Sequence, residues 1–157
     1  LTALGRPADP CPGAPLDRTV SIADADGHDV VVSGAVMLRD VQFRSVCEHH
    51  LLPFVGTAHI AYLPGAQVVG LGALPRVVDV LASRPQVQER LGEQIADVIA
   101  SRIDARGVLV VLDAVHGCVT ARGERQPVAS TLTLAARGEL AEPAARAELI
   151  ALITGKP

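Results

Sequence analysis

The sequence predicts an α+β fold built as a single domain. Three observations predict it. Alternating, β-branched runs flank the middle of the 157-residue chain, two segments of helical period lie between them, and no internal repeat or linker divides the whole.

Residues 1–18 are dense in Pro and Gly, with Pro7, Pro10, Pro12 and Pro15, and read as an irregular arm; residues 19–157 form the domain. Residues 19–23 and 29–43 are Val-rich and separated by Asp24-Ala25-Asp26-Gly27, the pattern of a hairpin turn between two strands. A third strand is expected over 55–63, where Pro64-Gly65-Ala66 turns the chain into a short apolar run at 68–71. Leu74, Val77, Val78 and Leu81 then repeat at helical spacing, and Pro75 is tolerable in a first turn. Beyond Pro85, the residues Val87, Leu91, Ile95, Val98 and Ile99 trace one face of a longer helix that 104–107 ends. A buried strand over 108–115, an alternating strand over 130–136 and a final helix over 143–153 complete the order. Strand edges left open in such a sheet favour assembly with other subunits.

Composition narrows the function classes. Hydrophobic residues make up 49% and charged residues 20%, so a disordered chain is excluded. Aromatics are only 2%, with no Trp, which leaves no stacking platform for single-stranded nucleic acid. A net charge of -3 argues against binding polyanions through bulk charge, so any phosphate recognition must be local. No apolar run approaches the roughly 20 residues of a membrane helix, and the start lacks a signal pattern; a cytoplasmic protein is expected. The chain opens on Leu1 rather than Met, and residues upstream of it are expected. Cys11, Cys47 and Cys118 are too few for a disulfide framework and point to a reducing compartment.

The strongest chemical signal is Ser45-Val46-Cys47-Glu48-His49-His50. Cys47 and His50 stand three apart, so one turn can aim both at a single point, and zinc favours this mixture of sulfur and nitrogen. Cys118, in His116-Gly117-Cys118 after a predicted buried strand, is the other cysteine of the folded body. Two cysteines and one histidine would leave a fourth position for water, as catalytic zinc requires. Spacing alone leaves a second reading open, in which the cysteines are small buried hydrophobes and the histidines cap a turn. His59, alternating within a strand, and His28, in a turn, read as structural or solvent-facing, and Cys11 has no assigned role.

Cys47-Glu48-His49-His50-Leu51-Leu52-Pro53-Phe54, followed by Gly56 and Ala58-His59, resembles the signature segment of the GTP cyclohydrolase I family. Pro85-Gln86-Val87-Gln88-Glu89-Arg90-Leu91 with Gln94-Ile95-Ala96 resembles a second segment of that family, and His116-Gly117-Cys118 with Arg122-Gly123 a third. Order and spacing agree over roughly residues 36–123. The resemblance implies Cys47, His50 and Cys118 as ligands of Zn2+, and His49 and His116 as catalytic groups moving protons while the guanine ring opens at C8. It implies Glu89 as the carboxylate accepting from guanine N–H groups, with Gln88 at its side, and Arg76 and Arg122 as phosphate contacts. The reaction implied is hydrolysis of GTP to 7,8-dihydroneopterin triphosphate with release of formate, feeding pterin or folate synthesis; zinc would acidify a bound water toward a pKa of ~7. The fold implied is the tunnelling fold, ββααββ, an antiparallel sheet with two helices between strand pairs. Its subunits join into stacked rings, a decamer being one candidate size, with active sites between subunits.

The chain departs from the family pattern on the phosphate side. Gly72-Ala73 stands where the family has Ser-Lys, the stretch 124–140 keeps chiefly Thr131, Thr133 and Gly138, and the 157 residues do not include the family's long helical preface with its arginine. The metal, acid-base and base-recognition positions are all present. The alternatives are therefore a relative acting on a guanine nucleotide or nucleoside with fewer phosphates, a non-catalytic zinc- and purine-binding paralogue, and a same-fold protein with other pterin or deazapurine chemistry.

Overall fold

A computed structural model describes residues 19–21, 32, 34–122 and 125–155. The expected arm, the 24–27 turn, His28, Cys11 and Gly123 lie outside the described residues.

The strands are β1 (Thr19–Ser21), β2 (Val36–Cys47), β3 (Pro53–Leu63), β4 (Gln67–Val69), β5 (Pro85–Gln86), β6 (Gly107–His116) and β7 (Thr131–Gly138). The helices are α1 (Ala73–Ala82), α2 (Gln88–Ile103), the single turn α3 (Gly117–Thr120) and α4 (Pro143–Thr154), the last preceded by a 3-10 turn at Glu139–Ala141. Five strands form one curled sheet in the order β5-β2-β3-β6-β7. Its neighbours run antiparallel, apart from the two-residue β5, which pairs parallel with the end of β2. Two helices thus sit in the chain between the β2-β3 pair and the β6-β7 pair, as the sequence led one to expect.

The first expected hairpin is corrected. Among the described residues Thr19–Ser21 pairs with Gln67–Val69 in a separate two-stranded sheet, Thr19 opposite Val69, and not with the strand that follows it. Polar Asp-Ala-Asp-Gly marks a turn but cannot name the partner, which a nonlocal pairing supplies. Strand β2 also runs on to Cys47, past the expected end at residue 43.

The core lies between one sheet face and α1 with α2. The helix stripes read from the sequence are the buried ones: Leu74, Val77, Val78, Leu81, Leu91, Ile95 and Ile99 are all wholly enclosed. They meet Ile60, Tyr62, Val108, Val110 and Leu112 from the sheet. Asp104 ends α2 by adopting the left-handed conformation, φ 47°, ψ 45°. Over the opposite face at the far end, Leu140 and Leu149 cover Ala61, Leu109 and Val111. Strand β2 carries a bulge between Leu38 and Val41, where Asp40 has φ 60°. The bulge is held by His59, whose Nδ1 accepts the Asp40 backbone N–H at 3.2 Å, so this histidine has a structural task.

At the other end of the sheet, Phe54 lies opposite His116 across β3 and β6. That register sets the start of β3 beside the end of β6, so the loop that leaves β2 and the turn that leaves β6 share one corner.

Candidate active site

Cys47 is the last residue of β2, and the loop after it is closed by the backbone. Cys47 N–H donates to Leu52 O at 2.9 Å, Leu51 N–H donates back to Cys47 O at 2.8 Å, and Glu48 N–H donates to Gln86 O of β5 at 3.0 Å. Leu51 completes the tight return with φ 54°. The loop turns His50 back upon the cysteine, and Nδ1 of His50 lies 3.5 Å from Sγ of Cys47. Cys118 arrives from α3, immediately beyond β6. The ligand atoms of Cys47, His50 and Cys118 all lie within 4.8 Å of one another, with Cys47 buried, Cys118 half-buried and His50 exposed.

Whether these three fit a metal is a matter of distance and donor type. Zn–S and Zn–N bonds of about 2.3 and 2.0 Å at a tetrahedral centre put neighbouring donors roughly 3.5–4 Å apart. The Cys47–His50 separation already meets that, and the widest separation requires a closure of roughly 1 Å. Among the described residues no fourth acidic, histidine or cysteine side chain joins the group. A structural zinc site is closed by four protein ligands, whereas three leave room for solvent. The donor set therefore fits a divalent metal with an open position.

The histidines differ in setting. His49 is exposed, with Nε2 3.8 Å from a carboxylate oxygen of Glu48 and its ring edge-on to His50 at 6.2 Å. Glu48 is in turn paired with Arg90, whose Nε donates to the buried Gln86 Oε1 at 3.2 Å. His116 is half-buried and stacked on Phe54, ring centroids 4.7 Å apart and planes 1° from parallel. Burial lowers its pKa from the ordinary histidine value, opposed by the charge of nearby Glu89. Its Nε2 lies 2.6 Å from Oε1 of Gln88.

Glu89 is exposed in the first turn of α2. Gln88, its neighbour, is only 1% exposed, and both ends of its amide are engaged inside the protein. Inside the protein this side chain lies beside His116. Arg76 on α1 and Arg122 just past α3 are exposed. Among the described residues neither bonds to the cysteine–histidine group, and both are open to solvent. Sequence reading missed Phe54, Glu48 and Arg90 as parts of this corner. Phe54 was legible from period 2 along β3, whereas the Glu48–Arg90 pair spans 42 positions and leaves no local signal.

Comparison with known proteins finds a family and relatives for this chain. The family model described as GTP cyclohydrolase I matches residues 16–154. The chain is 63% identical over 153 residues to the GTP cyclohydrolase 1 of Leifsonia xyli subsp. xyli, covering 98% of this chain and 75% of that protein. It is 55% identical over 130 residues to that of Rhodopirellula baltica, covering 82% of this chain and 55% of that protein, and 48% identical over 132 residues to that of Streptomyces griseus, covering 83% and 64%. The chain thus spans from about half to three quarters of the length of these relatives. The solved structure of an archaeosine synthase QueF-Like in the apo form superposes with a TM-score of 0.55 at 16% identity, over 66% of this chain and 93% of that one, a likeness of fold alone.

Proposed function

The chain is a member of the GTP cyclohydrolase I family, and from that premise we propose that it opens the imidazole ring of a guanine nucleotide at C8 and releases that carbon as formate. The observation that carries the proposal is the three-ligand group of Cys47, His50 and Cys118 with His49 and His116 at the same corner. Zinc held by those three ligands would supply the Lewis acidity that makes water a nucleophile near neutral pH. Hydrolysis of both C8–N bonds, with two waters consumed, frees that carbon as formate; His49, exposed beside that position, holds and moves protons at the ring nitrogen that departs first, a task suited to an imidazole. His116 serves the same nitrogen from a partly enclosed setting that favours its neutral form. Glu89 accepts hydrogen bonds from the guanine N–H groups, and Arg76 and Arg122 meet the phosphates, a charge and geometry Arg suits. With GTP, ribose rearrangement and reclosure then give 7,8-dihydroneopterin triphosphate, a precursor for pterin or folate synthesis.

A site shared between subunits accompanies this reading. Supporting it, Val46, Val55, Val115, Leu132 and Leu134 stand exposed on one sheet face, and β7 is the last strand of the sheet among the described residues. Joining such sheets edge to edge into rings would pair the β7 edge, turn this face toward the inside of the ring, and bring a neighbour's residues to the corner.

A second substrate reading has its own support. Gly72 offers no side chain at the start of α1, and the Ala73 side chain is buried, so no lysine charge stands where the family holds one for the triphosphate. Formate release and pterin fluorescence from zinc-replete protein, measured with GTP, GMP and guanosine, test both. Formate from GTP alone supports the ordinary substrate. Equal turnover of all three supports the relaxed one, and bound metal without formate from any guanine compound contradicts the proposed chemistry.

A further inference from the structure

Gln88 faces three oxygens with its amide nitrogen. Nε2 lies 3.0 Å from Leu112 O, 2.8 Å from Thr131 O and 3.1 Å from Thr133 Oγ1. Two of these are backbone carbonyls, which can only accept, so the amide must present its N–H groups to them. The flipped amide would set oxygen against two carbonyl oxygens inside the protein, where unmade bonds cost most. The acceptors therefore fix the orientation of the amide.

The consequence passes to His116. The fixed amide directs Oε1 at Nε2 of His116, 2.6 Å away. An amide oxygen has no proton to give, so Nε2 must carry one in the neutral ring as well as in the charged one. A neutral imidazole has a single N–H, so its Nδ1 is then bare. The stacked face of Phe54 holds the ring plane, leaving the imidazole little freedom to turn the pair of nitrogens around.

We propose that Gln88 is a positioning residue that holds His116 as its Nε2–H tautomer, so that Nδ1 is the one nitrogen of the neutral ring left with a free lone pair. The catalytic consequence rests on the ring-opening reading above; the placement of the proton does not. It also explains why a glutamine fully enclosed by β6, β7 and the start of α2 stands next to the exposed Glu89. One residue faces outward, and its neighbour sets a histidine from behind.

Long-range 1H–15N correlation of histidine-labelled, zinc-replete protein at mildly alkaline pH reads the tautomer, with His116 assigned by its disappearance in His116→Asn. The expected spectrum has a protonated Nε2 and an unprotonated Nδ1. A protonated Nδ1, or a mixture, overturns the proposal, and this test needs no variant at Gln88 to fold. In Gln88→Met the expected result is a mixed tautomer, with kcat reduced on the order of 100-fold and KM nearly unchanged. A folded Gln88→Met protein that keeps Nε2–H alone, or keeps its kcat, overturns it. If the wild-type protein shows the Nε2–H ring but forms no formate from any guanine compound, the reaction proposed above fails while the proton assignment stands.

Discussion

Cys118 and His49 differ in what their removal takes away. Cys118 is one of three donors within 4.8 Å of one another, and Ala in its place leaves two, too few to keep a zinc ion against dilution. Cys118→Ala is expected to lose bound zinc by atomic emission and all product. His49 lies outside the ligand group, so His49→Ala should retain zinc at the wild-type ratio and lose turnover by roughly 10²–10⁴-fold. Zinc loss from His49→Ala would place that ring among the ligands instead. Far from this corner, Tyr62 is enclosed in the core and its hydroxyl accepts the Val69 N–H at 3.1 Å. Burial raises its pKa, opposed by that N–H. The folded state therefore holds the phenolic proton more tightly than the unfolded chain, whose value is about 10. Stability from this group is complete below that value and is lost as pH rises through the folded one. Tyr62→Phe should cost about 1 kcal/mol at neutral pH through the stranded amide and show a shallower alkaline decline. Parallel slopes in urea titrations across this range would contradict the assignment.

Among the elements, the register of β3 against β6 matters most, because it places His116 opposite Phe54. Gly56 sits in that pairing opposite Ala114, and a Cβ there would stand 2.0 Å from Asp113 O and 2.6 Å from Ala114 Cα. Backbone cannot withdraw as a side chain can, so Gly56→Ala is expected to destabilise by roughly 3 kcal/mol or more. A denaturation midpoint within error of wild type would show the strands further apart than described. The helices α1 and α2 were legible because 3.6-residue spacing of Leu, Val and Ile is a local signal, and the core uses those same residues. The closeness of Cys47 and His50 was legible for a similar reason, the two being three positions apart. The pairing of β1 with β4, the two-residue β5 and the single turn α3 were not, because each depends on contacts between distant segments rather than on a repeating pattern. The enclosure of Gln88 was hidden likewise, since a polar residue beside a charged one reads as surface until β7 covers it.

At the scale of the molecule, the sheet is covered on one face by α1 and α2, and on the other only toward α4. Near the candidate site the second face is bare, with Leu132 59% and Val55 50% exposed. A groove of about 590 Å³ lined by Gln42, Arg44, Thr57 and, from α1, Asp79 lies at the β2 margin of the sheet, without a cysteine or histidine. No helix among the described residues is long and apolar enough to cross a membrane. In the edge-to-edge assembly proposed above this face lines the ring, and Leu132 and Leu134 lie on the strand that would be joined, β7. Leu132→Asp with Leu134→Asp should lower the mass found by light scattering while leaving far-ultraviolet circular dichroism unchanged; an unaltered mass would exclude this face from the assembly.

X-ray absorption at the zinc edge of the zinc-replete protein examines the convergence of three side chains on one ion without reference to turnover. The expected first shell holds two sulfurs at about 2.3 Å, one imidazole nitrogen at about 2.0 Å and one further light atom. A shell with a single sulfur, with none, or with four protein donors would contradict it.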